Sequence, residues 1–243
     1  MINRNALSIL AVILMCAMAI SPVLAANATQ PQDPATGYYN LGEYALAAGN
    51  YSDAIAYYDL ALGSNTTMIQ ESGGLLYTYH DKSYAQIHMG NYSDAIDTLN
   101  AGLAVYPTDE NLWNNKGYAQ FMMGDYKAAL TSYNNALAND ANFTTALINK
   151  GDALEKLGNY QDAVTAYTAA LVNNPGSIET QTKLTAAQKG AAAQQTTLLI
   201  IGGIVIIVVA AGAAYYFLKV RPAATKNKDE KTAKAEPKKN KKN

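Results

Sequence analysis

The chain has 243 residues but only one cysteine, one tryptophan and two histidines, so most of the side chains that carry chemistry are scarce. Cys16 lies inside an N-terminal apolar run, which excludes an intrachain disulfide framework and a cysteine-based zinc site. His80 and His88 stand eight residues apart on one predicted helix. That is about 12 Å along the axis, too far to share a metal directly, and they read as groove or surface histidines. No glycine loop of the phosphate-cradling kind occurs, and the carboxylates are scattered. The chain is therefore expected not to be an enzyme and to carry no metal and no cofactor. Charged residues are also few, 15% against 49% hydrophobic, which excludes a wholly disordered chain.

What charge there is divides sharply. The formal net charge of −1 hides a segment from Lys219 to Asn243 with ten Lys/Arg and three Asp/Glu, and a segment from Ala26 to Thr197 with seven and sixteen. These halves, +7 and −9, belong in different surroundings. Between them runs Leu198 to Leu218, twenty-one residues without a charge and flanked by Lys219 and Arg221. Such a run reads as a transmembrane helix, with Tyr215 and Tyr216 at headgroup level. At the other end, Arg4, the apolar stretch Ala6 to Ile20, Pro22 and Val23-Leu24-Ala25 read as a signal peptide over 1–25, cleaved before Ala26. Both signals give one topology: a single-pass protein of the cell membrane with its N-terminal domain extracellular and its C-terminus cytoplasmic. The tail, 219–243, is expected to be disordered and to lie near anionic lipid headgroups, and no nucleic-acid partner is expected.

The stretch between is repetitive. Gly-Asn/Asp-Tyr recurs at Gly49, Gly90, Gly124 and Gly158, at intervals of 41, 34 and 34 residues, the extra seven fitting an insertion near Ile69 to Leu75. Glycine there suits a helix end, and the residues after Tyr51, Ser52 or Asp53, suit the start of the next helix. Small residues recur in the same register: Gly42, Ser83, Gly117 and Gly151; Ala54, Ala95, Ala129 and Ala163; Ala61, Gly102, Ala136 and Ala170.

The 34-residue period and these small positions resemble the tetratricopeptide repeat (TPR) family over about Tyr38 to Pro175. The resemblance implies an all-α fold, a TPR α-solenoid in which helix pairs stack into a right-handed superhelix, plus one transmembrane helix. The expected organisation is a flexible leader, 26–35, and four repeats within 36–175, at about 35–68, 76–109, 110–143 and 144–177. A capping helix, 177–189, a short linker, 190–197, the span, 198–218, and the basic tail then follow. Helix A of the first repeat is expected over Thr36 to Ala48. Tyr51, Tyr92, Tyr126 and Tyr160 are expected to fill the crevice between paired helices, with Tyr58, Leu99, Tyr133 and Tyr167 packed seven residues later. The insertion is expected to loosen the second repeat from the first. Lys82, Lys116 and Lys150, at a place usually apolar in the family, are expected to lay their stems on the helix with their ammonium groups in water.

In the family the concave surface is lined by helix A residues at the second, fifth, ninth and twelfth places. Here these include Tyr39, Glu43, Tyr77, His80, Tyr84, Asn111, Asn114, Tyr118 and Asp152. Tyrosine and asparagine suit an extended protein or peptide segment. Lys and Arg are missing from the fifth and ninth places, so the resemblance does not extend to the subgroup that clamps a C-terminal carboxylate. The net negative charge favours cationic or neutral partners. The function implied is a protein interaction scaffold or assembly factor of the cell envelope. A surface receptor or signal transmitter, and a non-catalytic subunit of an envelope enzyme complex, are the alternatives. Asn27, Asn50, Asn65, Asn91 and Asn142 head Asn-x-Ser/Thr sites for glycosylation.

Overall fold

A computed structural model of the chain describes residues 33–71 and 73–220. The expected signal peptide, most of the leader and the tail beyond Val220 lie outside the described residues. The described residues are helical throughout, with no strand among them. The helices are α1 (Pro34–Ala47), α2 (Tyr51–Gly63), a short α3 (Thr67–Glu71), α4 (Gly74–His88), α5 (Tyr92–Val105), α6 (Glu110–Met122), α7 (Tyr126–Asn139), α8 (Thr144–Lys156), α9 (Tyr160–Asn173) and α10 (Ile178–Tyr215). A π-helical turn, Tyr216–Val220, continues α10.

Each Gly-Asn/Asp-Tyr marker is a turn between antiparallel helices. Gly49, Gly90, Gly124 and Gly158 have φ between +73° and +83°. At the first, Gly49 N–H donates to Leu46 and Asn50 N–H to Ala45, and the other three turns repeat this double closure. It satisfies the last carbonyls of one helix while the chain reverses. The following helix begins at the tyrosine itself, one or two residues before the expected start. Only at the third turn does the capping side chain close on the helix, where Asp125 Oδ1 accepts Ala128 N–H at 3.0 Å.

Packing runs in series along the chain. In addition α1 touches α4, α4 touches α6 and α6 touches α8, whereas the outer helices α2, α5, α7 and α9 form no comparable row. A layer whose helices touch beside a layer whose helices do not must curve toward the first, so α1, α4, α6 and α8 line the concave side. Small residues set that geometry. Tyr58, Tyr133 and Tyr167 are fully buried, each sixteen residues after Gly42, Gly117 or Gly151. A Cβ on Gly117 would stand 2.5 Å from the Tyr133 ring, and Gly42 and Gly151 face their tyrosines equally closely. The tyrosines at the turns reach further than the crevice of their own pair: Tyr51 stacks on His88 of α4 and Tyr160 lies against Gly190 of α10.

Three expectations need correction. The insertion does not loosen the first junction: α3 buries Ile69 with Ala35 and Leu75, against Leu62, Tyr79 and Tyr106. Lys82 does not end in water, since its ammonium meets Asp59 at 2.6 Å, and Lys116 lies 5.0 Å above the Trp113 ring. The linker 190–197 is not a break, because α10 runs unbroken for 38 residues. Gly190 is a contact point for Tyr160, and the alanines after it are strong helix formers. The capping half of α10 packs on α9 and buries Thr180 and Ala187. Beyond it, Leu198 to Leu218 is exposed on all sides and is long and apolar enough to cross a membrane.

Candidate functional site

The concave layer opens into a cleft of about 520 Å³ where α1, α4 and the start of α6 meet. Five of the nine expected groove residues line it: Tyr39 and Glu43 from α1, Tyr77 and His80 from α4, and Asn111 from α6. The helical repeat places Tyr39 and Glu43, like Tyr77 and Asp81, one turn apart on the same face. Leu76, Asp81 and Asp109 complete the lining. Sequence reasoning missed these three. Asp81 occupies the sixth place of its repeat, beside the fifth and ninth places that were projected. Asp109 is the N-cap of α6, its Oδ1 accepting Leu112 N–H at 2.8 Å, and an aspartate after Pro107-Thr108 is the signal that could have found it.

The cleft is electrostatically one-sided. Glu43, Asp81 and Asp109 bring carboxylates from three elements, and none of the lining residues is Lys or Arg. Glu43 accepts the Tyr58 hydroxyl at 2.8 Å. Burial raises the Glu43 carboxyl, the Tyr58 hydrogen bond opposes this, and the neighbouring Asp81 charge raises it further. Burial, Glu43 and Asp81 push the Tyr39 phenol up to about 12. His80 Nδ1 lies 3.1 Å from Asp81 Oδ1, and that contact raises the imidazole against the opposing effect of burial, with Asp109 and Glu43 adding to the rise. Each group is displaced toward its protonated form, by burial first at Glu43 and Tyr39 and by the Asp81 contact at His80, with the neighbouring negative charges adding to each rise.

The other projected residues lie along the same face but outside this cleft. Tyr84 is exposed and leans on His88 with ring centroids 4.2 Å apart. Tyr118 is also exposed. Asn114 is buried and accepts from Asn149 Nδ2 at 3.0 Å, so it joins α6 to α8 instead of facing solvent freely. Asp152 is engaged twice: its Oδ1 accepts the Tyr167 hydroxyl at 2.6 Å and its Oδ2 accepts Lys183 Nζ at 2.6 Å. Of the Asn-x-Ser/Thr sites, Asn50, Asn65, Asn91 and Asn142 are exposed, and Asn27 lies outside the described residues. No group of three or more metal-ligating side chains is found among the described residues.

None of the curated proteins matches the chain in sequence. Among solved structures, the crystal structure of MamA protein is 20% identical, with a TM-score of 0.57 over 70% of this chain and 88% of that one. MamA 41-end from Desulfovibrio magneticus RS-1 is 17% identical, with a TM-score of 0.57 over 73% and 97%. The first TPR of Spaghetti (RPAP3), bound to HSP90 peptide SRMEEVD, is 24% identical over 48% and 93%, with a TM-score of 0.47. At these identities the MamA likenesses speak for the fold alone. The tetratricopeptide repeat family model matches residues 19–68, 81–142 and 116–178, more than half of the chain. With four glycine-hinged helix pairs and tyrosine-in-glycine packing at three of them, the chain belongs to the tetratricopeptide repeat family.

Proposed function

We propose that this protein is a membrane-anchored interaction scaffold, or assembly factor, that holds protein segments in the concave groove outside the cytoplasm. The observation that carries the reading is the groove itself, a continuous inner face with exposed Tyr77, Tyr84 and Tyr118 beside a cleft. Tyrosine offers stiff contact area and a hydroxyl, which suits protein recognition. Tetratricopeptide repeats are protein interaction modules and are generally non-catalytic, consistent with the lack of a catalytic constellation in the sequence. The anchoring half of the proposal rests on the uncharged run Leu198 to Leu218, the +7 tail after it and the signal-like opening. In this arrangement residues 1–25 are removed, 198–218 span, 219–243 lie in the cytoplasm near anionic lipid, and the exposed sequons are open to glycosylation.

The test is crosslinking on intact cells carrying the full chain, followed by identification of the captured proteins. Tyr84→Ala with Tyr118→Ala is expected to abolish capture while the helical circular dichroism signal and melting remain. Capture undiminished in that variant overturns the groove assignment. Protease added to whole cells is expected to digest the repeats and spare the tail, and the reverse pattern overturns the topology.

One observation favours a second reading, a signal transmitter. Because α10 runs from the solenoid into the apolar run without interruption, a change at the groove has a stiff path to the span. Deleting residues 221–243 separates the two: a scaffold keeps its activity and a transmitter loses it.

A further inference from the structure

The inner face contains the same carboxylate arrangement twice, filled at one end and open at the other. In the fourth repeat, Asp152 follows Gly151, accepts the hydroxyl of Tyr167 fifteen residues on, and takes the ammonium of Lys183 on its second oxygen at 2.6 Å. In the first repeat, Glu43 follows Gly42 and accepts the hydroxyl of Tyr58, again fifteen residues on. Lys183 comes 31 residues after Asp152. The residue at the matching place for Glu43, 31 plus the seven inserted residues, is Asp81. Thus where the last inner helix supplies a cation, α4 supplies a second anion. The mismatch is felt within the fold: burial raises the Glu43 carboxyl first, and the charge and hydrogen bond of Asp81 raise it further. Asp109 adds a third carboxylate to the same cleft, with Tyr39 and Tyr77 as aromatic walls. His80, on Asp81 at 3.1 Å, is the one side chain there that offsets this charge when protonated.

We propose that the cleft between α1, α4 and α6 receives a lysine side chain from the bound partner segment, which completes at Glu43 and Asp81 the ion pair that Lys183 makes at Asp152. This rests on the groove reading above and specifies its ligand. Charge complementarity selects the occupant: an ammonium bound to Glu43 and Asp81 replaces the proton that their proximity otherwise favours on Glu43, and the stem of a lysine suits tyrosine faces. The internal pair shows the fit, since the same backbone register, the same tyrosine donor and the same carboxylate place hold an ammonium already. An acidic or C-terminal carboxylate segment is excluded from this cleft by the same charges.

The test uses the full chain in phosphatidylcholine nanodiscs and fluorescein-labelled hexalysine and hexaglutamate as probes, read by anisotropy. Hexalysine is expected to bind in a way that survives deletion of residues 221–243, whereas any hexaglutamate binding is expected to be lost with that basic tail. Glu43→Gln with Asp81→Asn is expected to weaken hexalysine about tenfold, as loss of a close charge pair does. Asp94→Asn with Asp97→Asn removes the same charge from the outer helix α5 and is expected to change binding less than about twofold, as screened exposed charges do. Equal loss in both variants, or none in the first, overturns the proposal. Asp81→Lys supplies the ammonium in cis; it is expected to block hexalysine and raise the melting temperature, and a lower melting temperature with binding intact also overturns it. If the Tyr84 and Tyr118 variant loses its cellular partners while hexalysine ignores Glu43 and Asp81, the groove stands and the lysine assignment falls. If partners survive that variant while hexalysine depends on the two carboxylates, the cleft stands without the groove.

Discussion

Three glycines on the inner helices do one job, admitting a tyrosine ring from the outer helix of the same repeat. Adding a single methyl at Gly117 places it 2.5 Å from Tyr133, whose ring is fully buried and has no room to retreat. Gly117→Ala is therefore expected to lower stability by about 1–3 kcal/mol, the usual range for overpacking, in chemical denaturation. The second repeat has exchanged both partners, Ser83 for the glycine and Leu99 for the tyrosine, and both are fully buried. Leu99→Tyr alone is expected to destabilise, and Ser83→Gly in the same chain to recover most of the loss. A double-mutant cycle measures the coupling. At His80 the sign of the pH dependence follows from its surroundings, Asp81 first, then Asp109 and Glu43. Its pKa in the fold lies above the ordinary 6.5, so its stabilising contribution is complete below that value and is lost as pH rises through the folded value. Melting temperature followed from acid toward alkaline pH is expected to fall across that window, and less so in His80→Gln.

Elements differ in how openly the sequence declares them. The four helix pairs are legible because one physical demand recurs: a left-handed glycine to reverse the chain and small residues where helices touch. The helix starts fall at the turn tyrosines instead of at Ser52 or Asp53 because the residue after the glycine already serves as the cap position. The linker 190–197 is less legible, because what Gly190 packs against depends on its neighbour in space. Here that neighbour is Tyr160, thirty residues earlier, and only folding brings it near. Gly190→Ala is expected to loosen α10 from α9 by about 1–3 kcal/mol. Gly202→Ala, with nothing within 4 Å of its Cβ, is expected to be tolerated, and hydrogen exchange across residues 178–190 distinguishes the two. The insertion is another case: composition marks extra chain, but not that Ile69 turns inward to seal the first junction.

Across the whole molecule, the inner face was readable in outline and not in charge detail. The family register picks out Tyr39, Glu43, Tyr77, His80 and Asn111 for the cleft, yet Asp81 sits at a place not projected and Asp109 precedes its helix. It also places Asp152 on the face without revealing that Lys183 covers it, since Lys183 belongs to the closing helix. A partner held through the three carboxylates is expected to bind more weakly as salt increases, with a steeper dependence for the native chain than for Glu43→Gln with Asp81→Asn. Titration at two or more ionic strengths checks this.

The uninterrupted α10 also fixes a distance. From Ala192 to Thr197 the helix stands exposed, a post of about 9 Å at 1.5 Å per residue. That is close to the reach of electrostatic influence in physiological saline, roughly 8 Å. Were the apolar run seated in lipid, as proposed, the base of the solenoid would stand at the border of the headgroup field, pitched by whatever tilt the buried segment takes. Lipids that alter that tilt would turn the whole groove with it, as a mast carries its sail.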